Sequence, residues 1–222
     1  MELYRATLAA ASNASVTLIS IGFLNNLADL LRSPPDAHSS LSGVELVGQK
    51  VAELVVMGGT YPSGWEFNFA YNISATRIVL REWPSTVPIT FSGYELGSKI
   101  LSGQGLPELA SKESPVLAAY QWYGDRCNTT SASYDPVTVL YGALGLGDMF
   151  EFAKVVGYNE IAEDGRNQWV EDGVERGRRW LKFKAGVDET YVGEMLEHLY
   201  VGHALEQRCF DAAAGRTFKV QS

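Results

Sequence analysis

Apolar positions along the chain fall into short β-branched runs separated by segments of helical spacing. Val16-Thr17-Leu18-Ile19-Ser20-Ile21 reads as a strand that stops at Gly22, and Leu24, Leu27, Leu30 and Leu31 then recur as on one face of a helix. Glu53 to Met57 is a second apolar run, ended by Gly58-Gly59, and residues Ser74 to Trp83 follow with helical spacing through Ile78 and Val79. Val87 to Phe91 predicts a third strand, with a helix over Tyr94 to Leu101 behind it. Strands alternating with helices predict an α/β fold built on an open, mostly parallel sheet with flanking helices.

Further along, the grammar changes. Ser114-Pro115 predicts a helix through Tyr123, with Ser114 as cap and Pro115 in the first turn, and Asp135-Pro136 opens another through Leu144. Strand-like runs follow at Glu151 to Val156, Glu160 to Glu163, Gln168 to Glu171 and Arg179 to Lys184, with Asp164-Gly165 as a hairpin turn. A last helix runs from Glu189 to about Glu206. The opening residues, Met1 to Ala11, already have helical character, so the chain begins inside a structural element. Residues 33–40 are rich in Ser and Pro and read as a surface loop. No linker divides the chain, which is expected to form one domain over residues 1–208 with a tail over 209–222.

Composition narrows the partners. A hydrophobic content of 46% with 20% charged residues is that of a globular protein with a sizeable core. The formal net charge of −8 repels a phosphate backbone, so no nucleic-acid partner is expected. Arg176, Arg178 and Arg179 form the densest basic group, read as a solvated strand entrance. No apolar run is long enough for a bilayer, and no membrane partner is expected. Cys127 and Cys209 match no metal-ligand spacing, and geometry alone decides whether they pair. Sequons at Asn13, Asn72 and Asn128 suit a secreted protein, yet no signal peptide precedes them; cytoplasmic and secreted locations both stay open.

The candidate chemistry lies at strand ends. Gly22, Gly58-Gly59 and Ser92-Gly93 would line one crevice, because ligands of open parallel sheets bind outside the carboxyl ends of the strands. Read as extended chain, Trp65-Glu66-Phe67-Asn68-Phe69 sends Glu66 and Asn68 to one side, roughly 7 Å apart, and the aromatics to the other. A carboxylate and a carboxamide so placed can grip a polyhydroxylated ligand such as a sugar; a solvated surface loop is the other reading. Asp135 is either a helix cap or a ligand. His38, His198 and His203 form no catalytic set, and no phosphate-binding or nucleophile-elbow motif occurs.

Three segments together resemble the nucleoside hydrolase family, the inosine/uridine-preferring type that cleaves the N-glycosidic bond of ribonucleosides. Ile21-Gly22-Phe23-Leu24-Asn25-Asn26-Leu27-Ala28 is similar to the family's G-P-L-T-N-L-A strand end. Val56-Met57-Gly58-Gly59 followed by Glu66-Phe67-Asn68 is similar to its M-G-G and A-E-F-N pair, and Tyr134-Asp135-Pro136 falls at its H-D-P or W-D-P motif. The resemblance runs from the first residues to about residue 200, and it implies a Rossmann-like sheet.

For individual positions the resemblance implies a calcium ion (Ca2+) held by the Asp135 carboxylate and the Ile21 backbone carbonyl. It implies ribose hydroxyls bound by Glu66 and Asn68, Met57 against the sugar, and Tyr134 near the leaving base. The family's N-terminal aspartate cluster, of the form D-x-D-x-x-x-D-D, supplies most calcium ligands and the general base, and it has no counterpart here: the first aspartate is Asp29, inside a predicted helix. Gly64-Trp65 stands where the family often has G-N, and Tyr134 stands where some members have a histidine. The chain therefore reads as the C-terminal two-thirds of a nucleoside hydrolase, lacking the family's first strands. The expected reaction is calcium-assisted hydrolysis to free base and ribose, weak or absent in this chain alone. The alternative is a non-catalytic relative that binds a nucleoside, a sugar or a protein. An apolar edge at the place of the absent strand predicts self-association into a homo-oligomer.

Overall fold

The computed structural model of the 222-residue chain describes residues 1–124, 126 and 128–202. Along it come α1 (Glu2–Ala10), β1 (Val16–Ser20), α2 (Asn25–Leu31), α3 (Gly43–Lys50) and β2 (Val51–Met57). Next are β3 (Ser63–Gly64), α4 (Phe67–Tyr71), α5 (Ile73–Glu82) and β4 (Ile89–Ser92). They are followed by α6 (Tyr94–Gly97), β5 (Leu101–Ser102), α7 (Leu106–Leu109), α8 (Pro115–Tyr123), β6 (Ser131–Ala132) and α9 (Tyr134–Leu144). The described chain closes with β7 (Phe150–Lys154), β8 (Tyr158–Ile161), β9 (Asn167–Val170), β10 (Arg178–Phe183) and α10 (Glu189–Tyr200).

The main sheet has the order β1-β2-β4-β10-β7. Its first four strands are parallel, and β7 joins antiparallel at one edge. The mostly parallel α/β fold expected from the alternating pattern is thus present. From Leu54 to Met57 the interior strand β2 is buried on both faces, as that apolar run requires. Leu54 and Val56 pack with Leu27, Leu30, Leu46 and Val79 from the helices on one side. Val55 packs with Val137, Leu140, Val192 and Leu196 from α9 and α10 on the other. Strand β1 occupies the opposite edge from β7, and its outer side pairs with no strand among the described residues.

Two smaller sheets flank the crevice end: β3-β9-β8, turned by the Asp164-Gly165 hairpin, and β5-β6. Gly165 has φ +83°, the left-handed conformation that this turn demands.

Several expectations change. Helix α3 was not anticipated, although its capping box is explicit: the Ser42 hydroxyl accepts from the Glu45 N–H, and the Glu45 carboxylate accepts from the Ser42 N–H. The helix expected over Tyr94 to Leu101 stops at Gly97, and Leu101–Ser102 instead pair with Ser131–Ala132. The backbone of Gly97 lies so close to Tyr134 that an added Cβ would sit 2.4 Å from the Tyr134 Cα, so only glycine fits there. Helix α10 ends at Tyr200. Glu206, His203, Cys127, Cys209 and the expected tail over 209–222 lie outside the described residues.

The arginine group is not a solvated entrance. Arg178 is 8% exposed and donates to the carbonyls of Trp83 and Val87, both at 3.1 Å, closing the α5–β4 junction. Burial pulls its guanidinium down to about 10. Arg179 binds the Thr90 hydroxyl and the Glu53 carboxylate, with its guanidinium over the Phe152 ring. Only Arg176 behaves as expected, paired with Asp172 near the surface.

Replacing Arg178 with Met leaves two buried carbonyls without donors. The variant is expected to lose about 2 kcal/mol of stability in urea denaturation; an unchanged midpoint would show that water replaces the guanidinium at no cost.

Candidate functional site

Parallel pairing brings the carboxyl ends of β1, β2 and β4 side by side, with Ser20 opposite Val56 and Met57 opposite Ser92. The turn leaving β2 is shaped by two glycines. A Cβ on Gly58 would meet the Phe69 ring at 2.2 Å, and Gly59 has φ +82°. Side chains at either position would push the turn off the ring beneath it.

This turn delivers Glu66, but not in the extended conformation expected from the aromatic alternation. Glu66 is the N-cap of α4, and Asn68 lies inside that helix. One Glu66 oxygen accepts from the Asn68 N–H at 2.8 Å; the other accepts from the Gly59 and Phe69 N–H groups, each at 3.1 Å. The residue is only 4% exposed. Burial raises its pKa, the three N–H bonds oppose that rise, and the charge of Asp135 adds to it.

Asn68 turns back over the strand end, its amide donating to the Met57 carbonyl at 3.2 Å and lying 3.1 Å from the Met57 sulfur. Met57 itself is buried, and Ile21 follows immediately on the end of β1. Trp65 and Phe67 are more than half exposed, whereas Phe69 is fully buried; the three aromatics therefore do not share a face.

Asp135 arrives from the other side of the sheet. It is the second residue of α9, whose N-cap position is Ser133, so of its two readings, cap or ligand, the cap does not hold. The Ser133 hydroxyl is held by Ser102 at 2.7 Å, which ties the start of α9 to the β5–β6 pair. Among the described residues no hydrogen bond or ion pair engages the Asp135 carboxylate. Burial raises its pKa, while its place in the first helical turn favours the anion.

Tyr134 stacks on Tyr94 with ring centroids 5.1 Å apart, and burial together with the Tyr94 hydroxyl pushes its phenol up to about 12. It stays a neutral hydrogen-bond donor near pH 7, a poor source of a free proton.

The structure therefore gathers Met57, Glu66 and Asn68 into one unit and sets Asp135 within electrostatic reach of Glu66. Ile21 lies apart from that unit in one respect: it lines a cavity of about 430 Å³ along β1, from Tyr4 to Leu27, which none of the other four residues touches. Two residues of this region carry no motif. Glu95 accepts from the Tyr61 N–H at 3.1 Å, and Asn167 binds Thr60. Nothing in their local sequence signals either contact.

The donor set falls short of what the calcium ion implied by the resemblance needs. Calcium takes about six to eight oxygens. Here Asp135 offers one carboxylate and Ile21 one carbonyl, the Glu66 oxygens are already bonded, and no cluster of metal-binding side chains forms among the described residues. The described residues do not by themselves fit a calcium site.

Comparison with known proteins agrees with this geometry at the level of the family. The profile of the inosine-uridine preferring nucleoside hydrolases matches residues 1–192, and the chain belongs to that family. Its fold is similar to a solved plant nucleoside hydrolase, the PpNRh1 enzyme, with a TM-score of 0.64 at 16% identity over 89% of this chain and 65% of that one. It is also similar to the inosine-uridine preferring nucleoside hydrolase from Bacillus anthracis, with a TM-score of 0.60 at 16% identity over 90% of this chain and 64% of that one. The chain thus spans just under two-thirds of the length of either solved structure. No curated protein matches the sequence. No helix among the described residues is long and apolar enough to cross a membrane.

An unpartnered, half-buried carboxylate has a thermodynamic signature. A folded-state pKa raised above the unfolded value contributes stability that is full below the unfolded pKa and lost as pH rises through the folded one. Asp135→Asn removes that loss, so the variant is expected to melt above the wild type at pH 7, the difference closing as pH falls below about 4. Equal melting temperatures at pH 7 would mean that the carboxylate is solvated or paired.

Proposed function

We propose that this chain binds a ribonucleoside across the carboxyl ends of β1, β2 and β4, and that N-glycosidic hydrolysis to free base and ribose is the activity to which it is related. Glu66 and Asn68 hold the ribose hydroxyls, Met57 lies against the sugar, and Tyr134 donates a hydrogen bond near the departing base. The observation that carries this reading is the convergence of Glu66 and Asp135 at one strand-end rim, from segments 69 positions apart, with the Asp135 carboxylate left unbonded among the described residues.

Each group has a physical role in that reading. Three N–H donors orient the Glu66 carboxylate and leave lone pairs over for a ligand hydroxyl. A hydroxyl bound to a carboxylate is a charge-assisted hydrogen bond, roughly twice as strong as a neutral one. Fixing the ribose fixes the anomeric carbon relative to Asp135, which is the positional part of catalysis. A carboxylate there is suited to hold a metal ion or a water.

Because the described donors do not complete a calcium shell, no hydrolytic step is assigned to the metal. The same observation favours the second reading, in which the chain binds the nucleoside or sugar without turning it over.

The deciding experiment measures nucleoside binding and ribose release by the purified chain over a purine and pyrimidine panel, with calcium and with a chelator. Binding with little or no release is the expected result, and Glu66→Gln should weaken binding by about tenfold. Chelator-sensitive release would place a complete metal site in the chain. Neither binding nor release from a folded sample would refute the reading. Binding should also fade on acidification, as Glu66 takes up a proton through its raised pKa and ceases to be an anionic acceptor.

A further inference from the structure

The turn from Gly58 to Pro62 is tied down group by group. The Gly58 N–H donates to Ser92, the Gly58 carbonyl accepts from the Tyr61 hydroxyl, and the Gly59 carbonyl accepts from the Tyr94 N–H. The Tyr61 N–H donates to Glu95, and the Pro62 carbonyl accepts from the Trp169 N–H. These bonds hold the two ends of the turn.

Its middle is held by one side chain. Asn167, at the start of β9 and 2% exposed, accepts the Thr60 N–H at 2.8 Å and donates to the Thr60 carbonyl at 2.9 Å. A single carboxamide thus makes both bonds that a neighbouring strand would make. It is itself oriented: its amide also donates to Asn159 at 3.2 Å, and the Asn159 amide donates to the Tyr61 hydroxyl. Both polar atoms of the Asn167 side chain are used inside the fold, on Thr60 in the turn and on Asn159.

Thr60 follows directly on Gly59, whose N–H is one of the three donors to Glu66. Gly59 is also the one residue of the turn with positive φ, so it pivots at low cost once its neighbour is released. We propose that Asn167 is a positioning residue: by clamping Thr60 it holds the Gly59 N–H against Glu66 and so fixes the Glu66 carboxylate for its grip on a sugar diol. The inference rests on the reading of Glu66 as the ribose-binding group. Its chemistry is specific, because loosening a carboxylate weakens the hydroxyl contacts and leaves apolar contacts with the base unaltered.

The test compares the affinity of a ribonucleoside with that of its 2′,3′-dideoxy analogue. The ratio of the two cancels any change in the folded fraction. Wild type is expected to prefer the ribonucleoside, and Asn167→Ala to reduce that preference by about fivefold, through the ribonucleoside alone. Arg178→Met, destabilised at the amino end of the strands, is expected to keep the wild-type ratio. In the free protein, the Gly59 and Thr60 amides of Asn167→Ala should exchange faster with solvent while those of Val55 and Phe91 do not. An unchanged ratio in Asn167→Ala, or Gly59 and Thr60 amides as protected as in wild type, would overturn the positioning role alone. A wild-type ratio near one would refute the ribose-binding reading of Glu66 as well. If Asn167→Ala fails to fold, Asn167→Asp keeps the acceptor for Thr60, removes the donors, and carries the same comparison.

Discussion

A carboxylate removed from water must find donors, and the way Glu66 finds them organises the site. Its three N–H partners come from both sides of the turn: Gly59 before it, Asn68 and Phe69 after it. Meeting that requirement bends the chain from strand into helix within a few residues. It seats the Phe69 ring under Gly58, where no side chain would fit, and turns Asn68 over the end of β2. In the proposed reading the structural cap is also the binding group. The fold therefore holds Glu66 in place whether or not a ligand is present, the condition under which binding energy is not spent on ordering the protein.

The parallel sheet supplies the second constraint. Because β1, β2 and β4 run the same way, their ends expose successive turns on one rim, and α9 brings Asp135 to it from across the sheet. The rim is uneven. Toward β10 it is closed by packed helices and by the β8–β9 hairpin, whereas at β1 the outer strand edge is unpaired among the described residues. There Ile21 is 45% exposed beside an open cavity. Glu66 and Asn68, the proposed ribose-binding pair, stand on the closed part and Ile21 on the open part. The described residues therefore present an oriented carboxylate at Glu66 and no cluster of metal-binding side chains.

Much of this was legible in the sequence because the signals were local. β-branched runs ending in glycine marked β1, β2 and β4; Ser114-Pro115 marked α8, with the Ser114 hydroxyl accepting from Leu117; Asp164-Gly165 marked the hairpin. The motifs named Met57, Glu66, Asn68 and Asp135; hydrogen bonds join the first three, and the charge of Asp135 acts on Glu66. The failures have physical causes. Helix α4 has only five residues, too few to show a period, and its aromatic alternation reads as a strand. The Ser42–Glu45 capping box is a local signal for α3, although no long apolar run accompanies it. Arg178 reads as exposed because charge usually is, yet two carbonyls left over at the α5–β4 junction satisfy it inside. Asn167 lies 107 positions from Thr60, and no local pattern announces a contact between them.

The central claim is that a ribonucleoside binds through the Glu66 carboxylate, and the Gly59, Asn68 and Phe69 amides bonded to it are its closest reporters. Following those amides by NMR while titrating a ribonucleoside into the isotopically labelled chain is the most direct measurement. The account predicts that the three resonances shift together and saturate at one affinity. Saturable binding that moves the amides along the β1 cavity and leaves these three in place would contradict it.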